Sequence, residues 1–393
     1  MTADLPTPGA GAIPLWRDLR VLRIAAQVAA IVGVGLLAAF LVGNMLSAME
    51  SRGLGFGFSF LTRQAGFEIS ESPVPFAATD TYGRAFVVGI LNTLFVSIVG
   101  IVLATVLGIV VGVARLSTNW LVIKIAGGYV ELIRNTPLLV QLFFIYFALI
   151  QLPPVAEAFA LGSIGFLSQR GVFLPGPGMA PGFGAWVVFA ILGIVAVIAA
   201  HVVAGRLEER GQSSHRLRAI GFAALLGLPV VGWFVVGGAL VFELPVRERF
   251  NFVGGLALSP EFTALLVGLV IYTAAFIGEV VRGGIQAVKR GQVEAARALG
   301  LSERQVLRLV IFPQAMRIIV PPLTSQYLNL TKNSSLAVAI GYPDLFKVGQ
   351  TMSNQTGQPV PVMILVMGTY LAISLVTSLL MNVYNRRVQV IER

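Results

Sequence analysis

Of the 393 residues, 56% are hydrophobic and only 12% charged, and the mean hydropathy is +0.85. About 25% of a water-soluble domain is charged, so this composition excludes one and makes lipid the main solvent. The net charge of +10 does not point to nucleic acid, because the basic residues cluster between apolar runs, and the lack of cysteine rules out disulfides and thiol chemistry.

In chain order, residues 1–20 start with a Pro/Gly/Ala-rich stretch and are expected to form a disordered cytoplasmic tail. The apolar stretch 21–47 meets the requirement of ~20 residues for a membrane-crossing helix. Arg17, Arg20 and Arg23 ahead of it imitate a signal peptide, yet its length and the lack of an Ala-x-Ala site mark a retained anchor. Gly33 and Gly35 inside it suit close helix packing. Further spans are expected at 85–114, 127–150, 185–204, 217–241, 262–281, 306–330 and 360–384, eight in all. Gly108-x-x-x-Gly112 reads as a helix-contact face. Pro137 removes a backbone donor inside an apolar span, so a carbonyl must find another partner and a kink or local unwinding is expected. Arg134, Asn135, Thr136 and Pro137 are therefore either a gating or a packing element. Glu131 with Arg134, and Glu279 with Arg282, stand three apart and are expected as ion pairs. The connection 174–183 is too rich in Gly and Pro for a helix. His201 and His215 are placed in a basic connection, not a metal cluster.

Residues 291–309 alternate charge with Ala and Leu and are too polar for lipid, so they must lie in water or against another protein. Glu294 is expected near a helix start, where the dipole favours a carboxylate. Gly300 permits a sharp turn, and Ser302 to Gln305 has the pattern of a capping box. With the N-terminus cytoplasmic, 20 of the 28 Lys and Arg fall on the inner side, which places both termini and the 291–313 loop there.

Glu294, Ala295, Ala296, Gly300 and Leu301 stand at the spacing of the EAA coupling loop of ATP-binding-cassette importer permeases, and the segment closely resembles it. Val310 and Phe312 replace the Ile and Leu of that family's pattern. The segments GYVELIRNTPLLVQLFFIYF, GEVVRGGIQAVKRGQ, PQAMRIIVPP and LNLTKNSSLAVAIGYPDL extend the likeness to the polar amino-acid subgroup, and the chain's length is similar to that of the extended permeases of general L-amino-acid or glutamate/glutamine/aspartate/asparagine importers. The resemblance implies an all-α polytopic fold of the type I importer class: a five-helix core, with the extra helix at 21–47 and an inserted helix pair at 151–261. The core would then lie at 84–150 and 262–393, with a cytoplasmic coupling helix at 291–313. It also implies two ATPase partners that carry ATP and Mg, none being bound by this chain. A periplasmic amino-acid-binding protein and a second homologous permease are implied as well, as a heterodimer in preference to a homodimer, in a bacterial inner membrane.

Asn329, Thr331, Lys332, Asn333, Ser334 and Ser335 form the most polar segment at membrane depth, and either line an amino acid's route or cap a helix at the interface. Glu279 and Arg282, near the inner end of their span, are read first as a structural ion pair and are also candidates for gating or the substrate pathway. The competing class is a self-powered secondary carrier, which needs intramembrane carboxylates, whereas the acids here stand at span ends. No G-x-x-x-x-G-K-[ST] run is present, and no nucleophile, base or metal constellation suggests an enzyme.

Overall fold

The computed structural model describes residues 19–51, 56–162, 164–179, 183–209, 214–237 and 240–388. The expected tail at 1–20 lies almost wholly outside them. Helix α1 (Leu19–Ser51) is followed by α2 (Tyr82–Ala114), whose start is capped by Thr81: its Oγ1 accepts from the Arg84 N–H at 3.2 Å. Helices α3 (Trp120–Asn135) and α4 (Leu138–Ile150) meet at 106°. The expected single span at 127–150 is corrected accordingly. Proline cannot donate at Pro137 and its ring crowds the preceding turn, so the helix breaks where a kink was anticipated.

Short strands β1 (Phe159–Ala160), β2 (Phe166–Ser168), β3 (Gly171–Leu174) and β4 (Gly176–Met179) lead to α5 (Phe183–Glu209) and α6 (His215–Val235). Strands β5 (Leu240–Glu243), β6 (Val246–Arg247), β7 (Phe252–Val253) and β8 (Leu256–Leu258) follow. β4 pairs antiparallel with β5, and β3 with β8, so the segments entering and leaving the α5–α6 hairpin are stitched to each other. Phe166, Phe173 and Phe252 close a small core with Val155, the Phe173 and Phe252 rings lying 4.3 Å apart. These strands are an addition to the helical fold that the sequence reading did not contain. They also correct the span 217–241: the helix stops at Val235, and Val241 and Phe242 extend into β5.

The chain continues through α7 (Pro260–Gln286), α8 (Arg290–Ala298), α9 (Glu303–Val306), α10 (Phe312–Asn333), α11 (Leu345–Thr356) and α12 (Pro359–Val388). A π-helical turn, Leu307–Ile311, joins α9 to α10, and a 3₁₀ turn, Ser334–Ala339, follows α10. The span expected at 306–330 therefore runs longer, over Glu303–Ala339. Among the described residues seven helices are long and apolar enough to cross a membrane, or eight with the bent α3–α4 pair counted as one.

Helix α7 is the centre of the packing. Leu265, Leu269 and Ile277 are fully buried, against α2, α4 and α10. The contact with α2 depends on glycine: a Cβ on Gly108 would lie 2.5 Å from Ile277 Cγ2, and one on Gly112 2.7 Å from the Gly278 carbonyl oxygen. The helix-contact face expected from Gly108-x-x-x-Gly112 is thus realised. Gly33 and Gly35 are a correction within this chain, because among the described residues no atom beyond their own helix turn comes within 4 Å of a Cβ at either. His201 is a second correction: it lies within α5 and not in a connection, because the apolar run carries the helix on to Glu209.

Replacing Gly112 with leucine should force α2 and α7 apart, an overpacking cost of about 1–3 kcal/mol. Thermal unfolding of the purified protein in detergent should show a lowered Tm, while the same change at Gly33 should leave it unaltered.

Candidate functional site: an elbow, a charged clasp and a polar helix end

α8 and α9 form an elbow between α7 and α10. Gly300 adopts φ +81°, a conformation that costs a residue with a Cβ, and its N–H donates to the Arg297 carbonyl at 2.9 Å. Leu301 N–H reaches the Ala296 carbonyl at 3.2 Å, closing the turn. The Gln305 side chain then reaches back, its Oε1 accepting from the Ser302 N–H and Oγ, both at 2.9 Å, as the capping pattern anticipated. Arg297 grips Glu303 with two bonds of 2.7 and 2.9 Å across the elbow. Ala296 and Val306 are buried beneath, whereas Glu294, Ala295 and Gly300 are exposed and Leu301 is half-buried. Leu299, at the tip, is 82% exposed. Glu294 is a correction: it is the fifth residue of α8, beyond the first turn where the helix dipole favours an acid.

Near the C-terminal end of α7, Glu279 receives the guanidinium groups of Arg282 and Arg115. The Glu279–Arg282 pair was expected, but Arg115 was not, since it lies 164 residues away at the end of α2. Arg282 also donates to Gln286 Oε1 at 2.5 Å. The expected Glu131–Arg134 pair is a correction: Arg134 lies over the Phe276 ring, 5.1 Å from its centroid, and Glu131 is exposed.

At the α3–α4 bend, Gln141 Nε2 donates to the Ile133 carbonyl at 2.9 Å and the Thr136 carbonyl at 3.0 Å. Ile133 is the residue whose carbonyl Pro137 leaves without a helical donor, so Gln141 supplies the missing partner. Thr136 Oγ1 donates to the Leu132 carbonyl at 2.8 Å, and Asn135 is exposed.

The polar segment 329–335 is still helical. Thr331 Oγ1 donates to the Tyr327 carbonyl at 3.1 Å, Ser334 Oγ to that of Thr331 at 2.8 Å and Ser335 Oγ to that of Lys332 at 2.7 Å. Thr331 and Ser334 are buried, Asn333 is half-buried, and Asn329 and Lys332 are exposed. Lys332 and Ser335 line one groove of about 400 Å³ with Phe346, Tyr370 and Ser374. The structure thus brings two of the six polar residues into a common groove and turns three hydroxyls back on their own helix.

Two buried polar clusters escaped the sequence reading. Asp344, with no exposed surface, caps α11 by accepting from Lys347 N–H at 2.8 Å and from Tyr370 Oη–H at 2.9 Å. Thr93 Oγ1 accepts from Leu345 N–H at 3.0 Å, fixing α11 to α2. Burial pushes the Asp344 carboxyl up to about 6, its hydrogen bonds opposing the shift. Beside this cluster, Asn92 Nδ2 donates to the Glu71 and Pro343 carbonyls, both at 2.8 Å. The Glu71 carboxylate accepts from Ser259 Oγ, and burial, then the neighbouring Glu261, push it up to about 7. The Asp that precedes Leu345 was a legible cap; its tertiary partners were not.

A bundle of membrane-crossing helices with a polar elbow between two of them is the architecture of a transporter's membrane subunit. Residues 217–390 match the family described as binding-protein-dependent transport system inner membrane component. The chain is 45% identical to the putative amino-acid ABC transporter permease protein YhdX of Escherichia coli (strain K12), over 93% of this chain and 94% of that protein. It is 46% identical to the general L-amino acid transport system permease protein AapQ of Rhizobium johnstonii, over 86% and 84% of the two chains. To the glutamate/glutamine/aspartate/asparagine transport system permease protein BztB of Rhodobacter capsulatus it is 39% identical over the full length of both. The chain belongs to this family of ABC transporter permease subunits.

Two outcomes follow from the site. Because Glu71 holds its proton more tightly folded than unfolded, its contribution to stability is complete below the ordinary value of 4.5 and is lost as pH rises through about 7. Tm measured across that window should fall less steeply in Glu71→Gln than in the parent. Gly300→Val should strain the elbow by ~1–3 kcal/mol, seen as faster hydrogen exchange in 290–306 with the remainder of the chain unchanged.

Proposed function

We propose that this permease carries L-amino acids across a bacterial inner membrane, driven by two ATPase subunits that seat on the α8–α9 elbow and fed by a periplasmic amino-acid-binding protein. The observation that carries the reading is the elbow itself, continuous with α7 and α10 and exposing Glu294, Ala295, Leu299 and Gly300 on one short hairpin. Small side chains at Ala295 and Gly300 allow a partner's surface to approach the backbone, and Leu299 offers it an apolar anchor. The names of the relatives support amino acids as the cargo. The excess of Lys and Arg between spans supports cytoplasmic termini and an inner elbow.

In this reading ATP and Mg are held by the ATPases, and the permease biases a conformational equilibrium instead of performing chemistry. Nucleotide-driven closure of the ATPases moves the elbows, and α7 and α10 change which side of the membrane the path faces. The core at 84–150 and 262–393 encloses half the path, and a second, related permease supplies the other half, as a heterodimer. Arg134, Pro137 and the Glu279–Arg282 pair stand at the inner end, where they resist or permit opening. Asn329, Lys332, Asn333 and Ser335 offer the polar contacts for the cargo's carboxylate and amine, while Thr331 and Ser334 hold the helix that presents them.

The test is reconstitution of the whole assembly in proteoliposomes. Uptake should require the ATPases and the binding protein, and ATP hydrolysis screened over the twenty amino acids should be stimulated by those that are carried. Persistent uptake without an ATPase would replace this reading with a secondary carrier. Glu294→Lys should weaken ATPase association about tenfold or more, measured by co-purification, and abolish uptake. Lys332→Ala should alter the affinity of uptake with assembly intact; an unchanged rate and affinity would remove Lys332 from the path.

A further inference from the structure

The α5–α6 hairpin has a groove that the proposed transport path does not use. α5 and α6 pack chiefly on each other, through close contacts such as Gly221 on Ala200 and Gly232 on Phe189, and their outward faces are apolar. On that surface lies an open cavity of about 640 Å³ walled by Val197, Ile198, Val202, Phe222 and Leu225. Ile198, Val202 and Phe222 are each more than half exposed, so among the described residues nothing covers it. One end carries His201 and Arg206, and between them Gly205, where a Cβ would meet nothing within 4 Å, leaves the groove open.

The polarity of the groove follows the membrane. Arg206 is 23 residues along α5 from Phe183, about 35 Å at the rise of an α-helix, just past a hydrocarbon layer of about 30 Å. His201 stands about 7 Å short of it by the same rise. Neighbouring Glu208 is already engaged by Arg218 and Ser214, and Arg206 has no ion pair among the described residues. Apolar walls at acyl depth with a cation at headgroup depth are complementary to a phospholipid with net negative charge.

We propose that this groove is a binding site for an anionic phospholipid: an acyl chain lies along Val197, Ile198, Val202, Phe222 and Leu225, and the phosphate is held by Arg206 with His201 as a second donor. The site rests on the hairpin crossing the membrane and is independent of which solute is carried.

The assembled transporter, purified from equal parts of phosphatidylglycerol and phosphatidylcholine, should retain phosphatidylglycerol preferentially by native mass spectrometry. Arg206→Ala should reduce that preference about fivefold, and Arg206→Lys, which keeps the charge, should preserve it. An unchanged preference in Arg206→Ala overturns the proposal. A second measurement distinguishes lipid from protein. The chain has no cysteine, so Val202→Cys gives a single nitroxide site when the partner subunits are also cysteine-free. Strong collision with oxygen and weak collision with a water-soluble relaxant is the expected result in nanodiscs. A label shielded from both would mean that another subunit covers the groove, and one open to the aqueous relaxant would mean that no lipid does; either overturns the site.

Discussion

Inside a bilayer there is no water to satisfy a stray polar group, so each must bring its partner along. That constraint accounts for most of what is distinctive here. Where Pro137 breaks a helix, Gln141 turns back to occupy the orphaned carbonyl, and the bend of 106° becomes a stable feature. Where Glu279 stands near the end of α7, the guanidinium groups of Arg282 and of Arg115 at the end of α2 meet it. Where α10 becomes polar, the hydroxyls of Thr331, Ser334 and Ser335 bond to their own backbone and the helix continues.

The same accounting links the elbow to the helices it would move. Gly108 and Gly112 allow α2 to lie directly on α7, and the Arg115–Glu279 contact fastens their C-terminal ends. α7 then leads through three residues into α8, and the π turn after α9 leads without a break into α10. Tightly packed helices shift as units, which is what the proposed coupling through Leu299 and Gly300 requires. At the opposite end, Asp344 and Thr93 tie α11 to α12 and α2, so the polar groove beside Lys332 borders the same clamped unit.

The α5–α6 hairpin follows a different logic. Its β-stem, with β3 on β8 and β4 on β5, brings the chain back beside the point where it entered the hairpin. Their outward apolar faces, and that of α1, are left for lipid or a partner subunit.

By itself the sequence determined whatever depends on near neighbours: membrane spans from apolar runs, the break at Pro137, the elbow from Gly300 and the Ser302–Gln305 cap, the Glu279–Arg282 pair and the contact face at Gly108 and Gly112. Each is a matter of side chains within a turn or two, for which spacing is enough. Tertiary structure decided what joins distant residues: Arg115 on Glu279, Arg134 on Phe276 in place of Glu131, Leu345 on Thr93, and β3 on β8. No local pattern encodes those partners, because a strand of three residues or a lone arginine has no meaning until the surrounding helices fix what lies opposite it.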